Sequence, residues 1–243
     1  MDREQAVDRL VALVDRVERE TMPVPVREVW AFGDVALGLD PVERLDIYLT
    51  KDVLMGGDSA AAADFEAEYG IKGVGTSIRA EWGEAHPDRI RVSDNGYAAP
   101  EKCLAAELVG DGEGRGPPSS RTQPDDSEGH GPSGNRGSPG DEPIHLEVCN
   151  ASFEDNVRQR LKGALARDAY EAVLDPRGVC LWVDGTRDEE AFDRLREGSF
   201  AMPTLADSLS MLGADEDVAR EAAAVLKAQR AAQEGASVRG DMV

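Results

Sequence analysis

The sequence predicts an α/β or α+β domain: a small mixed sheet of four to five strands flanked by helices, a long disordered insertion and a C-terminal helical pair. Three observations predict it. Leu45, Ile47 and Leu49 alternate with Asp46, Tyr48 and Thr50, the period of a strand. Several other segments repeat apolar residues at steps of three and four, the period of a helix. Between them lies a stretch, 110–142, in which 19 of 33 residues are Gly, Pro or Ser and no large apolar residue occurs. Such a segment has no apolar surface to offset its ordering entropy. The expectation is one domain over 1–243, interrupted at 110–142 by that disordered insertion rather than divided there by an interdomain linker.

Taken in order, residues 3–20 form an amphipathic helix on Val7, Leu10, Val11, Val14 and Val17. Pro23 and Pro25 stop it and favour extended chain. Val29 to Phe32 then make a short strand ending at Gly33-Asp34, and Leu45 to Thr50 make the next. Asp58 caps a helix reaching about Tyr69. The glycines of GIKGVG, 70–75, read as a helix cap and turn, because no Gly-Lys-Ser/Thr ending marks a phosphate loop. A short helix is expected over 76–84 with Ile78 and Trp82 on one face. A strand is expected over 89–92, a turn at Asp94-Asn95-Gly96, and a helix over 100–109.

After the insertion, Ile144 to Cys149 alternate as a strand, with Glu147 on its polar face. Ser152 caps a helix through Leu165 that carries Arg158, Arg160 and Lys162. Residues 168–174 continue helical. Val179, Leu181 and Val183 form another strand, followed by a helix over 187–196. The C-terminal pair spans 203–234, one helix opened by Thr204 and ended at Gly213, the other opened by the acids 215–217. The last eight or so residues have no reason to be ordered.

Composition narrows the function. The net charge is −21, from 48 acidic against 27 basic residues, and only five of the basic residues are Lys. Acid excess with scarce Lys suits a cytosol at molar potassium chloride, where ~1 M salt shortens the Debye length to about 3 Å. That charge, with no basic stripe, argues against nonspecific nucleic-acid binding. No run of 18 apolar residues suggests a membrane span, and the acidic N-terminus does not read as a secretory signal. Cys103, Cys149 and Cys180 read as buried thiols of a reducing compartment. The expected location is cytoplasmic.

The residues FGD followed by LDIYL resemble the opening of the minimal nucleotidyltransferase fold. In that family a strand ends in Gly-Ser and the next carries two carboxylates at i and i+2, one strand face, which hold divalent metal. The resemblance implies that Gly33, Asp34 and Tyr48 lie at the nucleotide, and that Asp46 with Glu147 holds metal, magnesium or manganese. Two positions depart from the pattern: Asp34 stands where Ser is expected and Tyr48 where the second carboxylate is expected. The first would repel a triphosphate and the second is a poor magnesium ligand. The resemblance therefore implies a degenerate domain that binds nucleotide or metal without efficient catalysis. Without any family in mind, Asp46 and Glu147 read as solvent-side residues of half-buried strands. The combination of MPVPVREVWAFGD with LDIYLTKD is also similar to an uncharacterised haloarchaeal family, which implies a cytoplasmic halophile protein and supplies no function. The other functional class left open is a non-enzymatic structural or regulatory interaction module, using the C-terminal helices to hold a protein partner or a second copy.

Overall fold

A computed structural model describes residues 1–110, 143–232 and 237–240. The expected disordered insertion, 110–142, lies outside the described residues except at its first position. The core is a six-stranded mixed sheet. Its strands are β1 (Val26–Phe32), β2 (Leu45–Lys51), β3 (Ile144–Cys149), β4 (Gly178–Val183), β5 (Thr186–Arg187) and β6 (Ser237–Gly240), in the spatial order β5-β4-β1-β2-β3-β6. β1 runs antiparallel to β2 and β4, whereas β2, β3 and β6 are parallel to one another. The parallel pair β2–β3 joins chain from before and after 111–142 in one sheet.

Eight helices are described: α1 (Arg3–Arg19), α2 (Ser59–Tyr69), α3 (Ala80–Ala85), α4 (Pro100–Leu108), α5 (Phe153–Leu165), α6 (Glu189–Glu197), α7 (Leu205–Met211) and α8 (Glu216–Ala232). They cover both sides of the sheet. Val29, Ala31, Ile47, Leu49, Leu146, Val148, Val179 and Leu181 join α1, α4 and α6 in the larger core. The opposite face contributes Phe32, Tyr48 and Cys149, which pack with Phe153 and Val157 of α5 and with Leu174. A third cluster binds α5 to α7 and α8 through Leu161, Ala164, Leu205, Leu209 and Ala222.

Local chemistry explains most boundaries. Asp2 and Gln5 form a reciprocal capping box at the start of α1. Ser152 Oγ accepts from the Asp155 amide, and Glu28 Oε2 accepts from the Phe153 amide, so two side chains satisfy the first turn of α5. Glu28 Oε2 also accepts from Trp30 Nε1 and Thr50 Oγ1, tying that turn to β1 and β2.

Several expectations are corrected. The sheet has six strands, not four or five: Thr186–Arg187 pairs with β4 at the start of the expected helix 187–196, and Ser237–Gly240 pairs with β3 inside a tail expected to lack order. The strand expected over 89–92 is a 3₁₀ turn, Pro87–Arg89, followed by a single bridge from Val92 to Ala98. The turn at 94–96 is present, with Gly96 at φ +80. The helix expected over 76–84 begins only at Ala80, since Val74 and Ile78 bridge instead. Residues 168–174 hold one 3₁₀ turn, Tyr170–Ala172, after Asp168 takes a left-handed conformation at φ 47. The largest correction concerns the polar face of β2. Its residues do not face solvent: Asp46 and Tyr48 are 0% exposed, because α5 and α8 cover that side.

Candidate functional site

Gly33, Asp34, Asp46, Tyr48 and Glu147 all fall in one region, and the sheet register explains why. Phe32 pairs with Asp46, Asp46 with His145, and Tyr48 with Glu147. In a pleated sheet these paired residues share a face, so Asp46 and Glu147 lie on adjacent strands of the same face. What surrounds them is not open space but arginine.

Asp46 sits between two guanidiniums. Arg230 Nη2 is 2.6 Å from Asp46 Oδ2, and Arg44 Nη2 is 2.6 Å from Oδ1. Arg230, from the last turn of α8, also reaches Asp34 Oδ1 at 3.0 Å. Asp34 Oδ2 accepts from the amides of Glu43 and Arg44, at 3.0 and 3.3 Å, so this carboxylate ties down the loop that follows β1. Burial pushes the Asp46 carboxyl above the usual carboxylate range, against the pull of Arg230, Arg44 and His145.

Gly33 is required by the same contact. Its φ is +70, a region that disfavours side chains, and a Cβ there would meet Arg230 Nη1 at 2.6 Å as well as Asp46 Oδ2. The close approach that this glycine permits is that of an internal guanidinium.

Glu147 has its own cluster. Arg160 of α5 holds it in a two-pronged contact, at 3.1 and 2.8 Å, and His145 Nε2 lies 3.2 Å away. Arg239 of β6 is 3.9 Å distant, and His145 Nδ1 is 2.6 Å from Ser237 Oγ. Burial alone would raise the Glu147 carboxyl, but the bonds from His145 and Arg160 outweigh it and bring it down to about 2. Tyr48 is anchored too. Its hydroxyl donates to the Ala151 carbonyl at 2.8 Å and accepts from Asn156 Nδ2 at 2.8 Å, and its ring meets Phe153 edge-on. Burial pushes the phenol well above its ordinary range.

The donor set does not fit a divalent metal. The carboxylate oxygens of Asp46 and Glu147 are already engaged by cationic side chains, and a metal would have to displace them. Among the described residues, no group of three or more His, Cys, Asp or Glu is placed to hold an ion.

Beside this network lies a pocket of about 140 Å³. Phe32, Val173, Leu174, Leu205 and Leu226 give it apolar walls, and Arg44, Arg177, Lys227, Arg230 and Arg239 bring positive charge to it, against Glu147, Glu171 and Asp175. Arg177 is itself held by Asp175, through Nε at 2.9 Å and Nη2 at 2.7 Å. The sequence offered a signal for Arg160, within the basic run of α5. Arg44, Arg230 and Arg239 carried none, because nothing local distinguishes them from other surface arginines.

No curated protein and no solved structure matches the chain. Residues 2–115 and 136–243 do match one family, on both sides of the unmatched middle. The chain belongs to a family of unknown function, DUF7095.

Proposed function

We propose that the domain is a non-catalytic binding module that takes a small phosphate-bearing anion in the pocket beside Arg230. One observation carries this reading: in a chain of net charge −21, five Arg and Lys side chains converge on one partly apolar pocket that three acids line. Half-buried guanidiniums such as these suit phosphate because their planar donors match its oxygens. Size limits the ligand. At about 140 Å³ the pocket is below the roughly 300–1,000 Å³ that encloses a whole organic ligand. A nucleotide would seat a terminal phosphate there and leave its base outside.

This reading keeps the nucleotidyltransferase-like layout of Gly33, Asp34, Asp46, Tyr48 and Glu147 but assigns it no turnover. Arg230 supplies, between Asp34 and Asp46, the positive charge that a divalent ion supplies in a working transferase. The acid-rich, Lys-poor composition supports a cytoplasm of molar salt as the setting. The partner-module reading has less behind it. The apolar stripes of α7 and α8 are used in the core with α5, although Met211 is exposed.

The test is calorimetry with inorganic phosphate and with ATP, each with and without magnesium, in ~1 M potassium chloride to screen the net charge. Wild type is compared with Lys227→Glu, a change at the exposed rim. Binding without magnesium, weakened by about tenfold in the variant as expected for one lost charged contact, supports the proposal. No heat with either ligand overturns it. Binding that requires magnesium, with nucleotide transfer, would restore the metal-dependent reading.

A further inference from the structure

A second opening lies on the other side of the sheet, at the edge of β4. β1 covers one side of this strand along its length. On the other side, β5 pairs only with Trp182 and Val183. Just beyond, the Asp188 amide donates to the Leu181 carbonyl. Among the described residues no strand pairs with the outer edge of Gly178–Cys180. An uncovered strand edge presents backbone donors and acceptors in the spacing that another strand needs.

This edge is partly open to solvent. It forms one wall of a slot of about 460 Å³, with Val179 and Cys180 on the strand side and Phe200 and Met202 opposite. Asp188 and Glu190, at the start of α6, give the slot two carboxylates. The cation in the lining, Arg194, stacks on the Phe200 ring at 4.1 Å to the centroid, so its charge is directed at an aromatic face. The volume falls in the range of built ligand sites.

We infer that the outer edge of β4 is a peptide-binding site, which takes an extended basic segment of a partner protein as an added strand. Backbone pairing along Val179 and Cys180 supplies affinity, since the Gly178 amide already donates to the Pro176 carbonyl; the apolar wall of Phe200 and Met202 takes an alternate side chain, and Asp188 with Glu190 selects a Lys or Arg. The sign of the partner follows from the acids at the slot and from a chain whose own charge is −21. The site is independent of the anion pocket: the two share no lining residue.

Cys180 provides the reporter, because it lines the slot and is partly exposed while Cys103 and Cys149 are buried. Two valine hexapeptides, one flanked by lysines and one by glutamates, are titrated into the full chain. Alkylation of Cys180 by a maleimide is followed by mass, at the lowest salt that keeps the protein folded. The lysine peptide is expected to slow alkylation and the glutamate peptide to have little effect. Glu190→Lys, an exposed change that leaves the Asp188 cap of α6 intact, should shift half-protection by the lysine peptide by about fivefold and favour the glutamate peptide, as one exposed charge pair would. The inference is overturned if neither peptide protects Cys180, or if both protect equally in wild type and variant. It is equally overturned if Cys180 is already protected in a dimer and becomes reactive on dilution, since the occupant is then a second copy.

Discussion

Arg230 Nη2 bonds to Asp46 Oδ2 at 2.6 Å across 184 residues of sequence, and the same nitrogen reaches Asp34. One guanidinium therefore joins the last long helix to the first two strands. Arg230→Met would leave a buried carboxylate without its principal partner, at a cost of about 3–5 kcal/mol. In the background of Asp46→Asn the same change should cost much less, since the charge needing compensation is gone. A double-mutant cycle by urea denaturation measures the difference; additive effects would show that the pair is not coupled.

Gly33 depends on that contact. Gly33→Ala places a Cβ 2.6 Å from Arg230 Nη1 at φ +70. The left-handed conformation alone costs about 1 kcal/mol, and displacing the guanidinium adds to it. Loss of about 2–3 kcal/mol is expected. Combining it with Arg230→Ala should relieve only part of the steric cost, because the Cβ also meets Asp46 Oδ2, which a comparison of denaturation midpoints would read.

Glu147 sets an acid limit on stability. Its carboxyl falls from an ordinary 4.5 to about 2 in the folded state, so its contribution is complete above pH 4.5 and is lost as pH falls toward 2. The size is about 3 kcal/mol by linkage. Glu147→Gln should flatten the loss of stability between those values while lowering stability at pH 7. Urea midpoints at pH 7, 4 and 3 for both proteins decide this; parallel curves would assign the acid limb to other carboxylates.

Tyr48→Phe removes a hydroxyl that bonds Ala151 and Asn156 in a fully buried position. Both partners lose a bond, at about 1–3 kcal/mol. Phosphate binding should survive in this variant, because Tyr48 does not line the pocket. Loss of binding in a folded Tyr48→Phe protein would mean that the phenol contacts the ligand.

The net charge of −21 makes salt a stabiliser. Like charges repel the compact state at low ionic strength and are screened at ~1 M. The melting temperature should rise with potassium chloride, with most of the gain below ~1 M, where the screening length is still shortening.

Much of the fold was legible because it is written locally. The stripe of α1, the alternation of β2 and β3, and the caps at Asp58, Ser152 and Thr204 each lie within a few residues of what they determine. β6 was not legible: Ser237–Gly240 contains one large apolar residue, and it is a strand only because β3 offers an edge. The candidate site divides in the same way. Strand alternation placed Asp46 and Glu147, and a resemblance suggested their proximity. Of their partners, Arg160 lay in a visible basic run, but Arg230 and Arg239 could not be found, because they come from another part of the chain and leave no local pattern. Alternation also misled, since it made Asp46 a solvent-side residue when a helix covers it.

The enclosure of Asp46 also bears on the order in which the chain is made. β1 and β2 emerge early and can pair at once, but β3 comes after 111–142 and Arg230 later still. Through that interval the outer edge of β2 is exposed, and its apolar residues would otherwise invite pairing with another nascent chain. Asp46, the second residue of β2, would place a solvated carboxylate near the start of that strand, where a charge opposes such pairing. A side chain fully enclosed in the finished protein would thus serve, earlier, as a charge that keeps half-made molecules apart.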